Sequence, residues 1–564
     1  MINYNYDFNY IVDDSWIAAS KTRNYLLNDP LVDYLEYNKK KRKRDDDTFH
    51  SLILANGVIF EDQIIEILNK KFPDQIKTIV LNDKSIIRDP KYFKLTIDMI
   101  NQKVPIIYQG VLHNKINKTY GVPDLIIRGD YINKIYNTKI ENLNESMYYI
   151  IDIKNSKLQL SAKSDLILNS ISLKPYKSQI RIYHQIISQI QNVDTGIAFI
   201  MGNRWIRKQN NQIYQSDDPF DRLGIINYNN NDIQYINLTE EAINWNKQIR
   251  IESNNLNYLE PNHNNLYPNI CNRVDSLYKK IKLELAETNA EITSLWMCGV
   301  KHRNNAIKHN IYKWTDPKLT SKILGINGNN GKILDKILKL NRSKSNIIYP
   351  KKIKSNIYNW RDRNSLSFYI DFETLYEINT RLTNNIIFMI GIGYSINNTW
   401  KYKCLLINNL SEDEQIKIIN EMINYIKEIS KINKVDYQNI NIYHWSKFEP
   451  SILSKVCTKF NIIYPVFKWI DILELFHKEP IIIKGALNFS LKTIGKAMYN
   501  LNLISTIWPS DSNISDGLEA MYEAYKIYTN SNINNNIKME GIIKYNEIDC
   551  KIMWDILNAL NKIA

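Results

Sequence analysis

Apolar and polar positions along the 564-residue chain alternate between a period near two and one near 3.6, the marks of strands and helices. "GVIFEDQIIEIL" predicts a helix with Ile64, Ile65 and Leu68 on one stripe, and Glu61 falls on that same stripe. "GVPDLIIRGD" predicts a strand that opens at Asp124, where the preceding Pro123 does not spoil the ladder. In the next strand, "YYIIDIKNSK", Asp152 and Lys154 point the same way as Ile150, opposite Tyr149, Ile151 and Ile153. "YKSQIRIYHQIISQI" then reads as a helix with Gln179 and Tyr183 one turn apart, and "GIAFIMG" as a buried strand.

A similar alternation returns beyond residue 365. "SFYIDFETL", "IIFMIGIGYSI" and "WKYKCLLI" predict three antiparallel strands. "SEDEQIKIINEMINYI" predicts a helix opened by a capping box of Ser411 and Glu414. "NINIYHW" returns to a strand and "KFEPSILSKV" to a helix. The last helix, "IIKYNEIDCKIMWDIL", carries Tyr545 and Asp549 one turn apart on the face of Ile542, Ile552 and Ile556.

The elements predict a mixed α/β fold, and the length exceeds what one core supports. The expected domains are 1–235 and 356–564, joined by a loop and helical region over 236–355. No apolar run approaches a membrane span, and the amino end lacks a basic segment followed by an apolar one, so an intracellular protein without a membrane partner is expected. The five cysteines are scattered, which fits a reducing compartment and excludes a disulfide framework, a zinc site or an iron–sulfur site. Net charge is +14, from 73 Lys and Arg against 59 Asp and Glu, and this favours nucleic acid as partner. Richness in Asn, Ile, Lys and Tyr also fits AT-rich coding, so composition partly reports the genome. The run "KKKRKR", Lys39 to Arg44, reads as a solvated loop, a phosphate patch or a nuclear-import signal, which leaves cytoplasm and nucleus both open. "GINGNNGK" has five residues between its first glycine and the one before Lys332, and Ile333 follows the lysine, so a triphosphate-binding loop is excluded.

Charges on otherwise apolar faces are costly unless paired or bound to an ion. Glu61, Asp124, Asp152 and Lys154 together suggest a hard divalent cation held by carboxylates, with the lysine acting on water or phosphate. The order Glu61, "PD" at Pro123–Asp124, "DIK" at 152–154, then Gln179 with Tyr183 resembles the RecB-type PD-(D/E)XK nucleases. That resemblance implies a restriction-endonuclease-like αβββαβ core, Mg²⁺ or Mn²⁺ at Asp124 and Asp152, and Lys154 assisting the nucleophile. It also implies Gln179 and Tyr183 supporting site and substrate. An early-helix histidine is common in that family; His50 is near, but Glu61 fits the stripe better.

In the second half, Asp371 and Glu373 share one strand face, and two like charges there are most simply reconciled by a cation. With "YHWSKFE" and the Tyr545–Asp549 turn, the pattern resembles the tyrosine subclass of DEDD 3′–5′ exonucleases, which are RNase H-like. The resemblance implies metal at Asp371, Glu373, Glu449 and Asp549, with Tyr545 orienting the attacking water. Glu449 stands where most members have Asp; Asp471 is the rival, read as structural, and His444 is read as orienting the loop. Between the two domains, "SLWMCGVKHRNNAIKHNIYKW" sits where similar proteins carry a helix-hairpin-helix-like segment, with Gly299 at its turn and Lys301 and Arg303 near phosphates. The pairing resembles two-domain nucleases that are sometimes fused to a helicase, which implies a separate helicase as partner here. The expectation is a metal-dependent nuclease of DNA or RNA with two sites; the alternative is a nucleic-acid-binding protein with one or both sites decayed.

Overall fold

The computed structural model describes residues 7–38, 49–79, 84–272, 277–361, 366–375, 385–396, 398–509, 517–529 and 535–563. The basic run 39–44 lies outside them. The described chain forms two compact units that divide between Asn289 and Ala290. Residues 236–289 of the expected connecting region belong to the first unit and 290–355 to the second.

The first unit is built on a sheet of β1 (Ile76–Thr78), β2 (Ile106–Tyr108), β3 (Leu125–Arg128), β4 (Tyr148–Leu160), β5 (Ile197–Gln209) and β7 (Gly224–Asn227), in the order β7-β5-β4-β3-β2-β1. A further strand, β6 (Gln212–Ser216), pairs with β5 alone. β2, β3 and β4 run antiparallel in turn, whereas β5 returns parallel to β4. A parallel return needs a crossover, and helix α2 (Lys174–Gln191) supplies it. Helix α1 (Phe49–Lys71) precedes the strands, but helices Pro90–Asn101 and Gly129–Ile135 and the short strands Leu112–Asn114 and Thr119–Gly121 interrupt the expected order of helix, three strands, helix, strand.

Alternation along β4 separates its two faces. Tyr149, Ile151 and Ile153 pack with Phe60, Ile64, Ile65 and Leu68 of α1. Ile150 packs with Ile180, Tyr183, Ile187 and Ile190 of α2. Asp152 and Lys154 share the parity of Ile150 and so project toward the α2 side.

The second unit carries the sheet β10-β9-β8-β11-β12, formed by β8 (Ser367–Leu375), β9 (Ile386–Ile396), β10 (Thr399–Leu406), β11 (Asn441–His444) and β12 (Lys468–Asp471). The first three strands are antiparallel, and β11 and β12 extend the sheet in parallel beyond β8. Helices α3 (Glu412–Ile432) and α4 (Phe448–Phe460) provide the crossovers, and α7 (Asn535–Ile563) lies against β8 and β9. The capping box forms by half: Ser411 Oγ accepts from the Glu414 N–H at 3.3 Å, while Glu414 accepts from the Asn408 N–H at 2.6 Å. The helical stretch that begins this unit shares its core, since Ile292, Leu334 and Leu338 cluster with Tyr369, Tyr443 and Ile552. No described helix is long and apolar enough to cross a membrane.

Candidate active sites

β8 carries Asp371 and Glu373 on one face, and α7 carries Asp549 against it. One ligand oxygen from each of these three lies within 4.8 Å of the others, the one such acidic, His or Cys group among the described residues. Glu373 and Asp549 are buried, and Asp371 keeps part of its surface open. Burial, with Asp549 next in weight, pushes Glu373 up to about 8. Burial likewise raises Asp549 to about 6, against the pull of Lys492, and lifts Asp371 well above the carboxylate range. Three acids made reluctant to ionise by burial and, at Asp371 and Glu373, by one another form a donor set suited to a hard divalent cation.

Neighbouring groups orient this cluster. Asn546 Nδ2 donates to Asp371 Oδ2 at 2.8 Å, and the Tyr402 hydroxyl donates to Asn546 Oδ1 at 2.9 Å. Gly391 is the cross-strand partner of Asp371, and a Cβ there would overlap Asn546 Oδ1. A glycine in mid-strand is thus explained by close approach of another side chain. Trp508 Nε1 donates to Asp549 Oδ1 at 2.8 Å, and the buried Tyr545 hydroxyl bonds Asp549 as well. Lys492 Nζ stands 4.5 Å from the centre of the Tyr545 ring.

Glu449, in the first turn of α4, is buried outside the three-residue set, yet close enough to raise both Asp371 and Glu373. Its Oε2 lies 3.5 Å from His444 Nδ1 and accepts no well-formed hydrogen bond. Asp471 does structural work: its Oδ1 accepts from the Ser446 and Leu473 N–H groups, both at 2.9 Å.

In the first unit the antiparallel pairing of β3 with β4 brings Asp124 beside Asp152 and Lys154. Lys154 Nζ is 2.6 Å from Asp152 Oδ2 and 3.7 Å from Asp124 Oδ2, and the Ile153 N–H donates to Asp124 Oδ2 at 2.6 Å. Burial pushes Asp152 up to about 7 while Lys154 pulls it down. For Lys154, burial opposes the charge, and Asp152 and Asp124 outweigh it to raise the ammonium's pKa. Glu61 faces Asp124 rather than completing a three-acid set; Tyr108 and Gln109 donate to its Oε1 at 2.9 and 3.2 Å. Gln179 donates to the Tyr183 hydroxyl at 2.9 Å, and Tyr176 places its ring 5.2 Å from Lys154 Nζ.

The central segment departs from expectation. Gly299 caps the start of helix Val300–Ile307 instead of turning between two helices. Arg303 is buried and ion-paired to Glu291 at 3.1 Å, so it is withdrawn from any surface phosphate, whereas Lys301 is exposed. Asn546, Gly391, Trp508, Tyr108, Gln109 and Tyr176 escaped the sequence reading. Of these, Gly391 in "IGIGY" and Asn546 beside Tyr545 left a signal, a strand glycine and a polar residue on a buried helix.

No curated protein matches the chain. Residues 368–561 match the family model of the RNase H superfamily, a span that runs from β8 into α7 and contains the Asp371, Glu373 and Asp549 cluster. The match covers 194 of the 564 residues, so it is this stretch that is RNase H-like, not the second unit as a whole.

Proposed function

We propose that the protein is a divalent-metal-dependent nuclease whose principal site is the Asp371–Glu373–Asp549 cluster, acting as a 3′–5′ exonuclease of the DEDD type. The observation that carries this reading is the convergence of three carboxylates within 4.8 Å on a domain of the RNase H superfamily. Asp371, Glu373 and Asp549, with Glu449 at the margin, would hold Mg²⁺ or Mn²⁺. When bound, such ions supply charge that activates water and stabilises the leaving oxygen. Asn546 and Trp508 fix the rotamers of Asp371 and Asp549. The Tyr545 hydroxyl, held by Asp549, orients the attacking water. Against burial, His444, 3.5 Å from Glu449, favours the ionised form of that carboxylate.

In the first unit we assign a second nuclease site, of the RecB type, to Asp124, Asp152 and Lys154, with Glu61, Gln179 and Tyr183 around it. Asp152 Oδ1 is buried without a hydrogen-bond partner, while Oδ2 is met by Lys154 at 2.6 Å, which supports a site with room for an ion on the Oδ1 side. A singly active enzyme is the second reading, favoured by the failure of Glu61 to join Asp124 and Asp152 in one ligand set. DNA repair is the role we favour, with RNA processing the rival and a helicase a candidate partner.

The test is digestion of end-labelled single- and double-stranded DNA and RNA by wild type, Asp371→Asn and Asp152→Asn. Mg²⁺- or Mn²⁺-dependent cleavage that Asp371→Asn abolishes supports the principal site, and loss of a separate activity in Asp152→Asn supports the second. Gel shifts without cleavage by wild type in either metal overturn the nuclease reading.

A further inference from the structure

Charge is unevenly spread. Residues 313–354 contain eleven Lys and Arg against two Asp, a net +9 out of the chain's +14. Much of this charge is displayed. Lys318, Lys322, Lys332 and Lys339 are exposed, and Lys336 is half-buried with its ammonium 4.9 Å from the Tyr349 ring centre. Arg342, by contrast, is committed to the fold: it donates to the carbonyls of Trp314 and Leu319.

The lysines share a surface. Lys332, Lys336 and Lys339 follow one stripe of helix Gly328–Arg342, whose other positions Ile333, Leu334, Ile337 and Leu338 are buried. Asp335 accepts from the Ser321 N–H and hydroxyl at 2.7 and 2.8 Å, which seats Lys322 beside that stripe. Lys339 also lines a cavity of about 370 Å³ with Pro317 and Thr320, so the loop bearing Lys318 flanks the same side. The helix is anchored in the core that contains Tyr369 of β8 and Ile552 of α7. The lysine surface is therefore fixed with respect to the acidic cluster.

We propose that this surface binds the sugar–phosphate backbone of a nucleic acid, without regard to sequence, at a distance from the bond being cut. A helix rises about 6 Å from Lys332 to Lys336 and about 10 Å to Lys339, so the ammonium groups are spread over a length in which each strand of a duplex presents several phosphates, one per about 3.4 Å of axis. Nucleic acid is chosen over an acidic protein because the surface belongs to the unit that carries the phosphodiesterase site, and to that extent the assignment rests on the proposed nuclease function.

The test uses full-length protein in EDTA, so that binding is read without cleavage. Anisotropy of labelled 30-mer DNA and RNA is measured against salt for wild type, for K322A/K332A/K336A/K339A, and for a control with four other lysines replaced, K139A/K427A/K431A/K455A. The lysine-surface variant is expected to lose about 10- to 100-fold in affinity near 0.1 M salt, and its log–log salt slope is expected to fall by about 2 to 4. Manganese-dependent hydrolysis of a small chromogenic thymidine phosphodiester should stay at the wild-type rate in both variants. Equal losses in both variants, an unchanged salt slope, or displacement of DNA by polyglutamate at equal charge concentration would each overturn the proposal. Failure of the nuclease function alone would show as no hydrolysis by wild type while the binding comparison still reads.

Discussion

Replacing Glu373 with glutamine should make the metal-free protein more stable and the metal-bound protein less so. Glu373 is buried beside Asp549 and Asp371, and its carboxyl is raised from 4.5 to about 8. At about 1.36 kcal/mol per pH unit, keeping it ionised in the fold costs on the order of 5 kcal/mol. A group whose folded pKa exceeds its unfolded one contributes stability that is complete below the unfolded value and is lost as pH rises toward the folded one. The wild type without metal should therefore weaken between pH 4.5 and about 8. Glutamine keeps the shape and the acceptor that faces Asn546 but does not titrate. Because the acids share their repulsion, only part of the cost is recovered. We expect Glu373→Gln to gain about 2–4 kcal/mol at pH 8 in EDTA, or about 5–10 °C in the melting of its unit. Near pH 4 it should gain little. With Mg²⁺ at a hundredfold excess over its dissociation constant the wild type should gain about 2.7 kcal/mol, and the variant under a third of that. Calorimetry across pH with EDTA or Mg²⁺ measures all of these. A variant no more stable than wild type at pH 8 in EDTA, or one that gains as much from Mg²⁺, would refute the reasoning.

Gly391→Ala pushes Asn546 off Asp371; we expect a loss of about 1–3 kcal/mol in urea unfolding, together with loss of the cleavage proposed for this site. Tyr545→Phe should unfold like wild type yet lower the single-turnover cleavage rate about 100-fold, with the half-saturating enzyme concentration nearly unchanged. Asp152→Asn leaves Lys154 facing Asp124 alone at 3.7 Å, and a loss of about 2–3 kcal/mol is expected on denaturation. Because burial holds the Asp152 proton up to about pH 7 in the absence of metal, Mg²⁺ binding to the first site of Asp371→Asn should tighten as pH rises through that range and release a proton, read by calorimetry in buffers of different ionisation enthalpy.

The acids most exposed to sequence reasoning were those that break a period. Asp152, Asp371 and Glu373 interrupt apolar strands, Glu61 interrupts a helical stripe, and Gln179 with Tyr183 repeats at one turn. The succession of three strands, helix, strand and helix over 367–460 was also legible from alternation, whereas the order of the strands in the sheet was not. What stayed hidden depends on register or on distance in sequence. Gly391 is explained only by its place opposite Asp371 with Asn546 overhead. Trp508 reaches Asp549 from a loop, and Tyr108 meets Glu61 from the end of strand β2. Arg303 reads like a surface cation because nothing in its own segment reveals Glu291 as its buried partner. Glu449 was legible as the acid after the His444 strand, but its contact with His444 at 3.5 Å had to be observed.

Anomalous scattering from crystals soaked in Mn²⁺ tests the central claim most directly. The account predicts a strong peak among Asp371, Glu373 and Asp549, about 2.2 Å from at least two of their oxygens. Manganese seated elsewhere while those carboxylates stay empty at saturating concentration would contradict it.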